Sequence, residues 1–149
     1  MPELTEADHD FMRMAMAQAR MAFDAGEIPV GAIITDGKRI IARAHNLCEQ
    51  LNDVTAHAEM LALTSAASYL GGKYLTECTL YVTTEPCPMC AGALGWAQVK
   101  RIVFGCEDLK RGYRKFSPDI IHPKTELVSG LMSDESSALM KSFFAGLRE

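Results

Sequence analysis

The chain has no apolar run long enough to span a bilayer, and its first ten residues, MPELTEADHD, are acidic and lack the apolar core of a secretion signal. We therefore expect a cytoplasmic protein without a membrane partner. The composition has no extremes either, since 48% of the residues are hydrophobic and 23% are charged, which excludes a disordered or fibrous chain. A length of 149 residues predicts one domain, residues 1–149, with a core of its own.

The sequence also lacks an excess of cationic residues. Its net charge of -4 argues against a protein that coats nucleic acid nonspecifically, because phosphate binding depends on Lys and Arg, although a local basic patch remains compatible with this total. Cysteine occurs five times, an odd number in a chain without a secretion signal. The cysteines therefore indicate metal binding or catalysis rather than a disulfide framework.

The hydrophobic pattern predicts helices that alternate with short apolar strands. Apolar residues at helical spacing predict a first helix over residues 5–25, and Asp36-Gly37 between two β-rich runs predicts an antiparallel hairpin. The later elements are a helix over 55–69, the strand TLYVTT, the short helix PMCAGALGWAQ, the strand RIVFGC, a weak strand around TELVS and an amphipathic helix from Ser133. This alternation predicts a layered α/β domain with helices on both faces of a sheet.

The segment EPCPMC, residues 85–90, places two cysteines one helical turn apart. Pro88 is typical of the first position of a helix, so Cys87 is the predicted N-cap and Cys90 lies one turn later on the same face. A helix N-terminus favours the thiolate, which is the form of cysteine that binds metal. Taken alone, the pair is compatible with a redox switch, a structural staple or two ligands of a catalytic metal.

His57, thirty positions before Cys87, supplies a third candidate ligand at the start of the preceding helix. A structural zinc site is usually closed by four protein ligands, whereas a catalytic zinc keeps one position for water, so one His and two Cys indicate catalysis. Zinc would activate that water as a nucleophile, and Glu59 is close enough in sequence to shuttle its proton. This combination suits hydrolytic deamination.

Together, HAE and EPCPMC resemble the HxE and PCxxC signature of zinc-dependent nucleobase deaminases. The resemblance covers most of the chain, including GEIPVGAII, DVTAHAEMLAL, LYVTTEPCPMCAGAL, RIVFG and DLK, and the chain looks most like the bacterial tRNA-specific adenosine deaminases. Those enzymes convert the wobble adenosine of an anticodon to inosine. The resemblance implies a three-layer α/β/α cytidine-deaminase-like fold with a five-stranded mixed sheet. It also implies one Zn2+ per subunit, a homodimer, and a tRNA anticodon loop with flipped-out bases as partner.

The resemblance also implies the roles of the metal-site residues. His57, Cys87 and Cys90 would bind zinc, and Glu59 would be the general acid and base.

The resemblance also implies which residues contact the substrate. Asn46 would contact the flipped nucleotide, and Asp108 would contact the ribose, whose 2′-OH distinguishes RNA from DNA. The backbone N–H groups of Ala58 and Cys87 would position the water and the reacting base. Lys110 begins the run KRGYRKF, in which cations for phosphates are interleaved with aromatic residues for stacking, and this run would border the pocket. Its alternative interpretation is a solvated loop.

Three features depart from the family pattern. Thr84 stands where the family usually has an apolar residue, KRGYRKF replaces a small glycine-rich run, and the closing FFAGLRE is less basic than an anticodon-binding tail. None of them involves the metal ligands, so they bear on the substrate rather than on deamination.

Two other functions would use the same residues. A deaminase of a free base or nucleoside, such as guanine, cytosine or cytidine, would share the metal site but have a closed pocket. A non-catalytic zinc protein that binds RNA or a partner would use the cluster structurally. Glu59 argues against the second function, because a structural site does not need a proton shuttle.

Overall fold

The computed structural model describes residues 4–147. Within them the helices are α1 Glu6–Asp24, α2 Cys48–Leu51, α3 Ala58–Leu70, α4 Pro88–Ala97, α5 Tyr113–Phe116 and α6 Ser133–Leu147. The strands are β1 Gly31–Thr35, β2 Ile40–His45, β3 Thr79–Thr84, β4 Arg101–Cys106 and β5 Glu126–Ser129. The acidic start and the closing FFAGLRE noted above extend into residues 1–3 and 148–149, which lie outside the described residues. None of the helices in residues 4–147 is long and apolar enough to cross a membrane.

The strands form one mixed sheet in the order β2-β1-β3-β4-β5. β1 pairs antiparallel with β2 and β3, whereas β3, β4 and β5 run parallel to one another. α1 and α6 pack on one face of the sheet and on each other, and α3 and α4 pack on the opposite face. The predicted three-layer α/β/α fold with a five-stranded mixed sheet is therefore confirmed.

The central strands are buried on both faces, which explains their continuous apolar runs. In β1, Ile33 packs with Met12 and Tyr81 under α1, while its neighbour Ile34 packs with Leu80 under α3 and α4. Successive side chains alternate between two cores because a strand has a side-chain period of two. The helix α1 lies so close to β1 that a Cβ on Gly31 would stand 2.1 Å from the carbonyl oxygen of Ala15.

This topology places the N-termini of α3 and α4 side by side, at the end of the sheet where β2 and β3 finish. Three residues separate α4 from β3, and α4 therefore starts at the carboxyl end of the parallel strands, where sheets of this kind form their sites. α3 starts after the loop that leaves β2, and it packs against α4. The residues at the starts of α3 and α4 are therefore neighbours, although they are far apart in sequence.

A buried ionic network joins α1 to the strands β3 and β4. Asp8 is 3% exposed and accepts hydrogen bonds from the Tyr81 hydroxyl at 2.6 Å and from Arg101 Nη1 at 2.7 Å. The backbone N–H of Thr5 also donates to Asp8, which completes a capping box at the start of this helix. Burial alone would raise the pKa of Asp8, but the hydrogen bonds from Arg101 and Tyr81 hold it well below its usual range.

We expect Asp8→Asn to lower the free energy of unfolding by about 2–4 kcal/mol near neutral pH, because Arg101 then loses a buried partner. The pKa of Asp8 is lower in the folded than in the unfolded state, so its stabilisation is complete above about pH 4 and is lost as the pH falls. The difference in urea unfolding between wild type and variant should therefore be smaller at about pH 3.5 than at about pH 7.

Asp10→Asn is the matched control, since Asp10 lies on the same helix and pairs with Arg13 at an exposed position. It should change the free energy of unfolding by less than about 0.5 kcal/mol at either pH. Equal effects of the two substitutions would contradict the role of Asp8.

Candidate active site

The three predicted metal ligands meet where α3 and α4 begin. His57 is the N-cap of α3, Cys87 is the N-cap of α4 with Pro88 behind it, and Cys90 lies in the first turn of α4, as predicted. The side chains of His57 and Cys87 make no capping hydrogen bond to their own helices, so both can turn toward the cluster. His57 Nδ1 lies 3.6 Å from Cys87 Sγ and 3.5 Å from Cys90 Sγ.

These distances fit a metal ion. A tetrahedral zinc with Zn–N of about 2.1 Å and Zn–S of about 2.3 Å would separate its nitrogen and sulfur ligands by about 3.6 Å. The candidate ligand atoms of His57, Cys87 and Cys90 all lie within 4.8 Å of one another. Among residues 4–147, these three side chains form the one group of His, Cys, Asp or Glu with the spacing of a metal site. Three ligands of the nitrogen and sulfur type fit a zinc site that keeps one open position.

The protonation of the two thiols is also consistent with a cation. The hydrogen bond from Cys90 lowers the pKa of Cys87 to about 4, and His57 acts in the same direction. The same contact with Cys87, together with burial, raises the pKa of Cys90. Without a cation, the pair can therefore hold only one thiolate near neutral pH, whereas a divalent ion would stabilise both in the form that binds metal.

Glu59 lies in the first turn of α3, and its carboxyl group is buried. The residue is 4% exposed, and its Oε1 has no hydrogen-bond partner within residues 4–147. Burial raises the pKa of Glu59 to about 7. The residue follows His57 by two positions in the first turn of the same helix, which brings it to the side of the cluster. A buried carboxyl oxygen without a partner is rare and costly, so this group is available for a ligand or a proton.

Asn46 is brought to the start of α3, next to the cluster. Its Oδ1 accepts a hydrogen bond from the backbone N–H of Ala58 at 2.8 Å, and its Nδ2 donates to the carbonyl of Ile28 at 3.0 Å. Asn46 and Ala58, two residues predicted to contact the substrate, are thus hydrogen-bonded to each other. Their contacts with a nucleotide and a water stay predictions.

Asp108 and Lys110 lie at the other side of the site, on the segment that follows β4. The half-buried Asp108 accepts hydrogen bonds at its Oδ1 from the backbone N–H of Lys110 and Arg111, at 3.0 and 2.9 Å, and so shapes a turn. The Lys110 side chain is exposed. Neither contact with RNA is tested by this geometry, and both stay predictions.

Two buried glutamates that anchor the flanking loops were not assigned such roles from the sequence. Glu27 is 1% exposed and accepts the backbone N–H groups of Glu49 and Gln50 at 2.9 and 2.8 Å, which fixes the segment before His57. Glu85 is 6% exposed and accepts hydrogen bonds from Asp108 and Arg114. The available signal was an acidic residue in each of two otherwise uncharged stretches, EIPVGAII and TTEPCPMC.

Thr84 has an internal partner. It is 5% exposed, and its Oγ1 accepts a hydrogen bond from Cys106 Sγ at 3.7 Å on the adjacent strand. The hydroxyl that departs from the family pattern is therefore satisfied between β3 and β4.

Residues 6–148 match the MafB19-like deaminase family. A tRNA-specific adenosine deaminase of Agrobacterium fabrum is 40% identical over 146 residues, which cover 95% of each chain. The chain belongs to this deaminase family. The deaminase also resembles a solved structure from a study of A-to-I editing by tRNA deaminases at the wobble position, with a TM-score of 0.82 and 39% identity over 87% of this chain and 98% of that one.

The deaminase shares its fold with enzymes that act on other substrates. A guanine deaminase from Nitrosomonas europaea superposes with a TM-score of 0.81 at 24% identity, over 97% of this chain and 88% of that one. At this identity the likeness shows the fold alone. The architecture is thus common to deaminases of different substrates, and the fold alone does not define the substrate.

We expect Cys90→Ala to weaken metal binding by more than about 100-fold, because two ligands remain where three fit the ion. Cys78→Ala is the matched control, since Cys78 is also a buried cysteine but lies outside the cluster. Metal content after dialysis, measured by mass spectrometry on protein with a native circular dichroism spectrum, checks this. Retention of a full equivalent of metal by Cys90→Ala would contradict the assignment.

Proposed function

We propose that this protein, a single domain over residues 1–149, is a zinc-dependent hydrolase that converts the wobble adenosine of a tRNA anticodon to inosine. The observation that carries the proposal is the position of a buried carboxyl group, with one unpaired oxygen, beside three side chains spaced as zinc ligands. The tRNA substrate is supported by the relative from Agrobacterium fabrum, which is named a tRNA-specific adenosine deaminase. The match covers 95% of that protein.

His57, Cys87 and Cys90 would hold one zinc ion per subunit. A zinc ion bound by three protein ligands lowers the pKa of a water in its open position to about 7 and so supplies a nucleophile near neutral pH. Hydrolytic deamination then consumes one water and one adenosine, and it releases one ammonia and one inosine. The oxygen of the water forms a bond to C6 of the base, and the bond from C6 to the exocyclic nitrogen breaks.

Glu59 is proposed to move the protons of this reaction. Its buried carboxyl group has an oxygen without a protein partner among residues 4–147, so it can carry one water proton to the ring nitrogen and then the second to the leaving amine. Asn46 holds the first N–H of α3 and thereby fixes the turn that carries Glu59. Asn46 and Asp108 are proposed to contact the flipped nucleotide and its ribose from opposite sides of the cluster.

We expect Glu59→Gln to keep its zinc and to lower kcat for an anticodon stem-loop with a wobble adenosine by about 100- to 10,000-fold, since the proton shuttle is removed while the ligands remain. Inosine formation and zinc content, measured on the same preparation, check this. Glu77→Gln changes an exposed glutamate and is the control for the loss of one negative charge. Normal turnover by zinc-loaded Glu59→Gln would contradict the proposed role.

The same assay tests the substrate. Wild-type protein should form inosine in the stem-loop and release no ammonia from guanine, cytosine or cytidine. Ammonia release from one of these small substrates, with the stem-loop unchanged, would overturn the tRNA proposal and favour the free-base or nucleoside alternative.

We also propose that a second copy of the chain covers an exposed apolar groove between α3 and α4. The groove has a volume of about 320 Å³, and Met60, Leu63, Ala93 and Trp96 contribute to its lining. Trp96 is 84% exposed, which is unusual for the largest apolar side chain in a protein that stays monomeric. The resemblance to the homodimeric family supports a second copy as the occupant.

We expect Trp96→Ala to weaken self-association by at least about tenfold, because exposed tryptophans are frequent anchors of interfaces. Light scattering over a range of protein concentrations measures the change. Phe144→Ala, on α6 at the opposite face of the sheet, also removes a partly exposed aromatic side chain and should leave association unchanged. A wild-type monomer, or equal dissociation of the two variants, would contradict this interface.

A further inference from the structure

The carboxylate of Glu85, the residue directly after β3, is hydrogen-bonded to the segment after β4. Its side chain is 3% exposed and lies two residues before Cys87. Its Oε1 accepts from the backbone N–H of Asp108 at 3.2 Å and from Arg114 Nη2 at 3.1 Å, while its Oε2 accepts from the backbone N–H of Arg114 at 3.1 Å. One buried carboxylate thus holds residues 108 and 114, the two ends of a single loop.

Two further contacts hold the same loop against this strand. The backbone N–H of Tyr113 donates to the carbonyl of Pro86 at 2.9 Å, and the Tyr113 side chain is 1% exposed. Gly112 lies so close to Glu85 that a Cβ there would stand 2.4 Å from the Glu85 Cδ. The loop is therefore packed directly on residues 85 and 86, beside the cluster.

The outward side of this loop carries exposed cations. Residues 108–116 are called the basic segment here. Lys110, Arg111 and Lys115 are exposed, and within residues 4–147 none of them forms a salt bridge, whereas Arg114 is paired with Glu85 and Glu107. Leu109 and Phe116 are 79% and 58% exposed on the same segment. Exposed cations beside exposed apolar and aromatic side chains are typical of surfaces that bind single-stranded nucleic acid.

We propose that Glu85 is a positioning residue for RNA: it fixes the basic segment before the substrate arrives, so that Lys110, Arg111 and Lys115 meet the phosphates of the anticodon loop in a preformed arrangement. The inference rests on the proposed function and adds the residue that shapes the RNA-binding surface. A segment that is already ordered in the folded protein loses little conformational entropy when RNA binds. The free energy of binding is therefore not reduced by the ordering of the segment.

Glu85→Gln tests this inference, because the amide removes one charge and places a donor against N–H groups that also donate. We expect KM for the anticodon stem-loop to rise about tenfold or more, while kcat changes by less than about threefold. Glu107→Gln is the matched control, since Glu107 pairs with the same Arg114 but has a side chain that is 57% exposed. It should leave both constants unchanged.

Gly112→Ala disturbs the same contact from the loop side and leaves residues 85–90 unaltered. It should produce the same rise in KM in protein that keeps a full equivalent of zinc. A readout without RNA accompanies both variants: trypsin should cleave after Lys110 or Arg111 faster in zinc-loaded Glu85→Gln and Gly112→Ala than in wild type or Glu107→Gln, because a released segment enters the protease more readily.

Each other outcome would overturn the inference. Cleavage at the wild-type rate in both variants would show that Glu85 does not hold the segment. Faster cleavage with unchanged KM would show that the segment does not meet the RNA. A fall in kcat or zinc content in both variants, with KM unchanged, would show that Glu85 acts on the metal site instead. Wild-type protein that leaves the stem-loop unchanged would instead refute the proposed function, and the RNA part of this inference with it.

Discussion

The buried carboxyl group of Glu59 is the constraint around which the site is arranged. A carboxyl oxygen that is removed from water and left without a partner destabilises the fold by about 1–3 kcal/mol, and more when it is charged. Neighbouring contacts keep it in place: α3 begins beside α4, and Asn46 holds the N–H of Ala58, immediately before Glu59. The fold can tolerate this unfavourable group because most of its stability comes from the two hydrophobic cores on the faces of the sheet.

A comparison of three buried glutamates shows why Glu59 is the one suited to chemistry. Glu27 and Glu85 are as buried as Glu59, but both oxygens of each accept hydrogen bonds from backbone or arginine N–H groups. Both oxygens of each of those two carboxylates are therefore occupied by hydrogen bonds that anchor the loops on the two sides of the site. Glu59 keeps an oxygen free among residues 4–147. The same residue type thus serves twice as a loop anchor and once, in our proposal, as a proton shuttle.

The sequence predicted the elements and the cluster, because both depend on local patterns. Helical spacing located α1 and α6, the continuous apolar runs located β3 and β4, and Pro88 after Cys87 fixed the start of α4. The short helices α2 and α5 were not predicted, since each is held by a carboxylate more than twenty residues away in sequence. Neither the Asn46–Ala58 bond nor the Glu85 anchor has a local signature. Long-range polar contacts of this kind become visible only when the chain is folded.

The central claim is an open site in which one histidine and two cysteines hold a zinc ion. X-ray absorption spectroscopy at the zinc edge of the purified protein tests it most directly, because sulfur ligands at about 2.3 Å are resolved from nitrogen and oxygen ligands at about 2.0–2.1 Å. The account predicts two sulfur ligands and two lighter ones, one of which exchanges with solvent or with an inhibitor. A third or fourth sulfur ligand, or purified protein that binds no zinc, would contradict it.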